Sequence, residues 1–342
     1  MRWRTAAAAG LAILALLAGL FSTRHVLSGW LTAMLVVSAL PAGALPLLLV
    51  WHLHRGRWGI VLGPAMAAAV GTMPLIVVGM LPILLFAGAF YPWAHASGEH
   101  VSPWLSQPGF ALRGLGYLAL WWLFGELALR SGVPAENTPP RPALASAGLI
   151  VYTLTASLAG FDWTLSLQPR VYSSIFGLIF VIHQVLAALG FLTMVSLGAK
   201  TGREEARGIG NLLLGMVMFW MYLEYMQYLI VWSGNLPGHI DFYLARTGGP
   251  SSAAVWTLAI GGGAVPLLLL LSSRVRESGL ALGALAGVLF ASRLLEAAWW
   301  VLPVVEPDGA LLTATTAALA GAGGLWLAVW HRRRRARSAA AP

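Results

Sequence analysis

Long apolar windows recur along the whole chain and are separated by short polar connections. Most of these windows reach the roughly 20 residues that a helix needs to cross the hydrocarbon core of a bilayer. No stretch between them is long enough to suggest a soluble domain, so residues 1–342 are expected to form one all-α, polytopic membrane domain. The pattern predicts about ten transmembrane helices, in windows near 5–21, 26–51, 60–90, 110–129, 143–160, 172–197, 208–232, 252–272, 279–302 and 309–330.

Two windows carry features that modify this pattern. Pro64, Pro74 and Pro82 lie within the third window and predict a kinked or broken helix, which a membrane protein tolerates where neighbouring helices satisfy the backbone. The first window follows Met1-Arg2-Trp3-Arg4 and is rich in Ala and Leu. It therefore fits either a retained membrane helix or a cleaved signal peptide.

Composition supports a membrane protein and excludes several redox centres. Hydrophobic residues make up 58% of the chain and charged residues only 10%, against about 25% charged in an ordinary soluble domain. The chain contains no cysteine. Disulfides, thiolate-bound iron–sulfur clusters and covalently attached haem c are therefore excluded.

The net charge of +9 is distributed as the positive-inside rule requires. Ten spans place both termini on one side; with the termini in the cytoplasm, 16 of the 21 basic residues lie on the inner side. Only Arg24, Arg113, Arg170 and Arg246 lie outside, and Arg293 lies within a helix. The basic excess is thus explained by topology rather than by nucleic-acid binding.

The same orientation suggests an internal repeat. Windows two to five, covering residues 26–160, and windows six to nine, covering 172–302, both begin on the outer side and contain four spans each. Two such units would be related by an axis along the membrane normal.

Ionisable side chains at bilayer depth are costly, so they are the first candidates for function. His183 has no second histidine at a matching depth, which a haem held by two imidazoles would need, and no metal-spaced set of ligands is present. We therefore expect this chain to hold no haem or metal and to have no catalytic residue of its own. The candidates for a proton path are Glu126, Asp162, His183, Glu224, Arg293 and Glu296.

Glu224 lies on the most informative of these helices. Trp220, Glu224, Gln227 and Tyr228 follow helical spacing and predict one polar stripe that faces the bundle interior. A carboxyl in an apolar bundle prefers its neutral form but can exchange a proton when a cation stabilises the carboxylate. Glu224 is thus either a proton relay, with His183 and Glu296 as its neighbours, or a structural hydrogen-bonding group.

The other candidates also have two interpretations each. Arg293 and Glu296 are three residues apart and can neutralise each other, or Arg293 can control the protonation of a carboxyl on a facing helix. His183 fits a proton path or a hydrogen-bonded core histidine. Glu126 lies one turn from Arg130, which favours a plain interfacial ion pair.

Two outer segments resemble a known family. The first, residues 161–177, reads FDWTLSLQP and then, from residue 172, YSSIFG; the second, residues 228–246, reads YLIVWSGNLPGHIDFYLAR. Both are similar to the F subunit of alternative complex III, a bacterial respiratory complex that oxidises quinol. The match is closest over WSGNLP at 232–237, whereas Gly238 and His239 stand where that family has two acidic residues.

The resemblance implies the fold of polysulfide-reductase-type membrane subunits, with two four-helix bundles and peripheral helices. It implies a non-redox scaffold with a proton-conducting path in the bacterial cytoplasmic membrane, surrounded by lipid. The implied partners are a second membrane subunit of this fold, an iron–sulfur subunit and cytochrome c subunits carrying haem c; quinol is the substrate of the complex. A quinone-binding subunit of the same fold and a stand-alone secondary transporter remain as alternatives.

Overall fold

The computed structural model describes residues 23–95, 104–132, 141–248, 250–305 and 308–339, and this part of the chain consists of helices and short turns. The first predicted window lies outside the described residues. Each of the other nine predicted windows coincides with a helix or with a broken pair of helices. The all-α prediction is therefore confirmed for the described part of the chain.

Among the described residues, eleven helices longer than four residues make up the fold. They are α1 (Thr23–Leu53), α2 (Arg57–Val70), α3 (Met73–Leu85), α4 (Gln107–Arg130), α5 (Pro142–Trp163), α6 (Phe176–Ser196), α7 (Arg203–Gly234), α8 (Pro237–Thr247), α9 (Ser251–Leu271), α10 (Gly279–Val301) and α11 (Gly309–Ala339). Within α9, residues Thr257–Ala264 form a π-helical stretch.

Fewer helices than predicted are apolar enough to cross a membrane. Seven helices among the described residues have the necessary length and composition, and the bent pair α2 and α3 raises the number to eight. Helix α4 is long enough but less apolar, because Arg113 and Glu126 lie within it. The described residues thus contain seven or eight candidate membrane spans. The predicted total of about ten, whose first window lies outside these residues, is not confirmed.

The predicted break in the third window is confirmed and lies at Gly71 and Thr72. Helices α2 and α3 meet there at 45°. The Thr72 hydroxyl donates a hydrogen bond to the Ala69 carbonyl at 2.6 Å and accepts one from the Trp326 indole at 2.8 Å. Pro74 lies in the first turn of α3, where its missing N–H costs no hydrogen bond. The Thr72 side chain therefore joins the break to the backbone of α2 and to the Trp326 side chain of α11.

Helices α1 and α6 form the centre of the molecule. The most apolar window of α1 is 94% buried and that of α6 is 78% buried. Both helices are apolar on all sides, which is typical of helices enclosed by others. Helix α1 packs on α2, α5, α6 and α11, and α6 packs on α1, α5, α7 and α10. These two helices begin the two predicted four-span groups.

Glycine lets the two central helices touch. A Cβ atom on Gly43 of α1 would lie 1.9 Å from the backbone oxygen of Gln184 on α6. Side chains of any size are excluded at this point, because the obstacle is backbone rather than a movable side chain. Small residues at such crossings are the usual means of close helix packing in membranes.

One predicted connection is wrong in part. Residues 233–251 were expected as a loop, but Pro237–Thr247 form the amphipathic helix α8. Asn235 ends α7 in the left-handed conformation, with φ of 47°, and Pro237 begins α8. The helix forms because Phe242 and Arg246, one turn apart, bury their side chains against the bundle.

We predict that Gly43→Ala destabilises the protein by about 1–3 kcal/mol, the usual cost of overpacking a close contact. The measurement is thermal unfolding of the purified protein in detergent. Gly116→Ala on α4 is the matched control, because nothing lies within 4 Å of its added Cβ. Equal unfolding temperatures for the two variants would contradict the α1–α6 contact.

Candidate functional site

A cluster of ionisable side chains is buried where α6, α7 and α10 meet. His183 Nδ1 of α6 lies 2.6 Å from Glu296 Oε2 of α10. Arg293 Nη1 donates to the same oxygen at 2.7 Å, and Trp220 Nε1 of α7 donates to Glu296 Oε1 at 2.7 Å. His183, Arg293 and Glu296 are each only 1% exposed. We call these four residues the Glu296 cluster.

Arg293 is held on several sides. Its guanidinium carbon lies 3.9 Å from the centre of the Trp220 ring, and Ser292 Oγ accepts from its Nε and Nη2 at 3.3 and 3.2 Å. A Cβ on Gly262 in the π-helical stretch of α9 would lie 3.1 Å from Arg293 Nη2. The backbone at Gly262 therefore lies directly against the Arg293 guanidinium. π-Helical turns occur frequently at functional sites.

The predicted pairing of Arg293 with Glu296 is confirmed. His183 contacts the same carboxylate, a contact that the sequence did not predict. A buried ion pair of this kind is tolerated only when further hydrogen bonds satisfy the remaining lone pairs and protons. Trp220, His183 and Ser292 supply them here. The cluster thus contains one carboxylate, one guanidinium and one imidazole in a water-poor interior.

Glu224 lies beside this cluster, one helical turn after Trp220. It is close enough to interact electrostatically with Glu296, Arg293 and Tyr243. Its Oε1 atom is buried and has no hydrogen-bond partner among the described residues. Two carboxyls that share one guanidinium in an apolar bundle favour holding a proton between them, because two neighbouring negative charges are costly there.

His183 also has an unused polar atom. Its Nε2 is buried without a hydrogen-bond partner in the described part of the chain, and its ring packs 4.6 Å from that of Trp300. The neighbouring Gln184 accepts a hydrogen bond from the Tyr152 hydroxyl at 2.8 Å. The Nε2 atom of Gln184 is also buried without a hydrogen-bond partner among the described residues. Buried polar atoms are rarely left unpaired, so each of these needs an explanation.

Asp162 belongs to a different site. Arg113 donates to both of its carboxylate oxygens at 2.9 Å, Tyr117 donates at 3.0 Å and Trp104 at 2.7 Å. No hydrogen bond or ion pair between described residues joins it to the Glu296 cluster. Because all its accepting positions face donors, Asp162 fastens α4 to α5 and is unsuited to pass on a proton.

Glu126 and Tyr228 do not join the Glu296 cluster either. The Glu126 side chain is 42% exposed and lies 3.8 Å from that of Arg130. The two residues form the ion pair that their spacing favoured over a role in a proton path. Tyr228 is 49% exposed, so the predicted stripe ends one residue earlier, at Gln227. Gln227 is buried and accepts from the Ser173 hydroxyl at 2.5 Å. Tyr228 lies about 100° around α7 from Gln227. The rotation of α7 in the bundle buries Gln227 and leaves Tyr228 exposed.

Arg246 is a buried cation that sequence reasoning placed only as an outer basic residue. It donates to the carbonyls of Trp299 and Trp300 at 3.1 and 2.7 Å and to that of Phe242 at 2.7 Å. Gln168 accepts a further hydrogen bond. Burial lowers the pKa of Arg246 to about 9, which still leaves it charged at neutral pH. Its charge therefore caps the C-terminal end of α10.

The two motif segments meet at one cavity of about 1220 Å³ at the end of the bundle where α5 and α7 terminate. We call it the outer cavity, after the predicted orientation of the chain. Gly238 brings the segments together, since a Cβ there would lie 3.1 Å from the backbone oxygen of Arg170. The rings of His239 and Tyr172 lie 6.0 Å apart across the same junction. Among the polar side chains that line the cavity are Asp162, Ser166, Gln168, Arg170, Ser173, Ser174, Gln227, His239 and Asp241.

Comparison with known proteins finds no protein family and no curated protein that matches this chain. What the protein does is therefore inferred from its side-chain geometry and from the two motif segments. Their common position on the outer cavity is a property that the order of residues along the chain does not reveal.

We predict that Asp162→Asn and Arg113→Gln each cost about 3–5 kcal/mol of stability, because either change leaves the charge of the remaining residue in the bundle without its counter-ion. The double variant should cost clearly less than the sum, as expected for residues in direct contact. Chemical unfolding in detergent measures all three. Glu126→Gln, which removes an exposed ion pair, is the control and should cost at most about 1 kcal/mol. Additive effects of the two buried changes would contradict the pairing.

Proposed function

We propose that this protein is a non-redox integral membrane subunit of a bacterial respiratory complex that oxidises quinol, similar to the F subunit of alternative complex III. We further propose that the Glu296 cluster and Glu224 form a proton path in its outer half. The observation that carries the proposal is a buried set of carboxyl, imidazole and guanidinium groups with unpaired polar atoms on Glu224 and His183.

The proposed path leads outward from the cluster. Glu224 lies ten residues before Gly234, or about 15 Å from the outer end of α7 at 1.5 Å per residue. Gln227 lies about 4.5 Å further along the axis and borders the outer cavity together with Ser173. Protons would enter the shared pair of Glu224 and Glu296 and leave through these polar side chains.

Each group in the cluster has a separate task in this proposal. Glu224 accepts and releases the proton through its unpaired oxygen. Arg293 stabilises the carboxylate that remains, because its guanidinium lies 2.7 Å from Glu296. His183 can take up a proton on Nε2 while Nδ1 stays in contact with Glu296.

The redox chemistry would belong to partner subunits. A chain without cysteine cannot hold iron–sulfur clusters through thiolates or attach haem c covalently. We propose an iron–sulfur subunit, cytochrome c subunits and a second membrane subunit of the same fold as partners. In this proposal the chain forms two four-helix bundles with peripheral helices in the cytoplasmic membrane, with both termini in the cytoplasm.

The outer cavity favours one alternative function, that of a quinone-binding subunit. Its walls combine aromatic and aliphatic side chains with hydroxyl, amide, imidazole and carboxyl groups, as pockets for ring-containing ligands do. This alternative would be favoured if a quinone analogue bound the isolated chain and if His239→Leu abolished that binding. A stand-alone secondary transporter would instead be active without any partner.

We predict that gentle solubilisation of native membranes retains partner subunits and haem c absorbance on this protein. The reason is that the chain lacks the means to hold the redox centres that the proposed complex needs. Mass spectrometry of the retained subunits, together with an absorption spectrum, is the measurement. A protein that comes away alone and colourless under conditions that keep other respiratory complexes intact would refute the subunit proposal.

We predict that Glu224→Gln lowers the number of protons released per electron while uncoupled electron transfer changes little. Glutamine keeps the size of the side chain and its hydrogen bonding but cannot titrate. Proton release by the reconstituted complex is measured against electron transfer in the presence of an uncoupler. Glu204→Gln is the matched control, since Glu204 pairs with Arg57 on the surface and is 73% exposed.

Two further results complete this test. Glu224→Asp keeps a titratable group and should restore part of the coupling that glutamine removes. An assembled Glu224→Gln complex with unchanged proton release per electron would show that Glu224 is structural.

A further inference from the structure

A groove of about 690 Å³ lies between α1, α3 and α11, away from the Glu296 cluster. The bend between α2 and α3 opens it, because Gly71 and Thr72 at the break form part of its wall. The rest of the wall is almost wholly apolar and includes Trp30, Met34, Val78, Leu325, Trp326 and Val329.

The groove ends at two arginines. Arg332 and Arg333 line it at the end where α11 carries its basic run, and both are exposed. No carboxylate of the described residues forms an ion pair with either of them. Arg333 lies beside the helix break, since a Cβ on Gly71 would be 2.8 Å from its Nη1. The groove therefore combines an apolar wall with two cations at a single end.

The length of the groove fits one leaflet of a bilayer. It follows α11 from Ala322 to Ala336, which is about 21 Å at 1.5 Å per residue. Half of a hydrocarbon core is about 15 Å, so the groove covers the depth of one leaflet and reaches the level of the head groups. A soluble anion would use the arginines but leave the apolar wall without a ligand.

We propose that this groove binds an anionic glycerophospholipid of the inner leaflet. An acyl chain lies along α3 and α11, and the phosphate accepts hydrogen bonds from Arg332 and Arg333. One guanidinium group can donate two parallel hydrogen bonds to a phosphate. Basic pockets between helices on the cytoplasmic side are typical sites for anionic head groups. The lipid joins the broken span to the last helix, beside the hydrogen bond of Trp326 to Thr72.

The test uses the full-length protein, delipidated in detergent and titrated with phosphatidylglycerol or phosphatidylcholine. Native mass spectrometry counts the lipids that stay bound. Each arginine near a membrane surface contributes about 1 kcal/mol to the binding of an anionic lipid. Loss of two arginines, in the double variant Arg332→Gln with Arg333→Gln, should therefore weaken phosphatidylglycerol binding about 30-fold. Arg274→Gln with Arg335→Gln is the matched control, since it removes two exposed inner charges that do not line the groove.

A second variant tests the apolar wall. Val78→Trp places a large ring in the groove and should lower phosphatidylglycerol binding while leaving both arginines in place. Equal binding of phosphatidylglycerol and phosphatidylcholine to the unchanged protein would overturn the proposal without any variant. Displacement of the lipid by inorganic phosphate alone, or equal losses in the control variant, would also overturn it. None of these measurements depends on partner subunits or proton release, so the result is independent of the proposed function.

Discussion

The cost of burying charge in an apolar helix bundle controls where the ionisable side chains of this protein lie. Asp162 is buried because four hydrogen bonds from three side chains reach its carboxylate. Glu296 is buried because donors from α7 and α10 and the imidazole of α6 surround it. Arg246 has no carboxylate partner among the described residues; backbone carbonyls at the end of α10 accept its hydrogen bonds instead. Each case follows the rule that a charge leaves water only when its partners replace water.

This rule also separates structural from functional carboxyls. Asp162 uses all its acceptor positions, so a proton arriving there would break a well-formed arrangement. Glu224 and His183 each keep one buried polar atom without a partner among the described residues. A site that exchanges protons needs such spare capacity, whereas a site that fastens two helices does not. Incomplete pairing therefore distinguishes the carboxyl of Glu224 from that of Asp162.

Close backbone approach makes these arrangements possible. Gly43 lets α1 touch α6, and Gly262 lets the π-helical stretch of α9 cover Arg293. At the outer end, Gly238 lets α8 contact the segment around Arg170 and encloses the cavity shared by the two motifs. The glycines are thus positions at which the main chain itself forms part of a wall, and a side chain would move the neighbouring helix away.

The sequence by itself determined the helices and the contacts within each of them. Apolar windows predicted all nine helical regions that fall within the described residues. Prolines predicted the break near Gly71, and spacing predicted the pair of Arg293 and Glu296. All three features depend on residues close together in the chain. Only the tertiary structure separated Asp162 from the Glu296 cluster, turned Tyr228 outward and buried Arg246 under α10. Those outcomes depend on how helices far apart in sequence cross and rotate against one another, and helical periodicity contains no information about that.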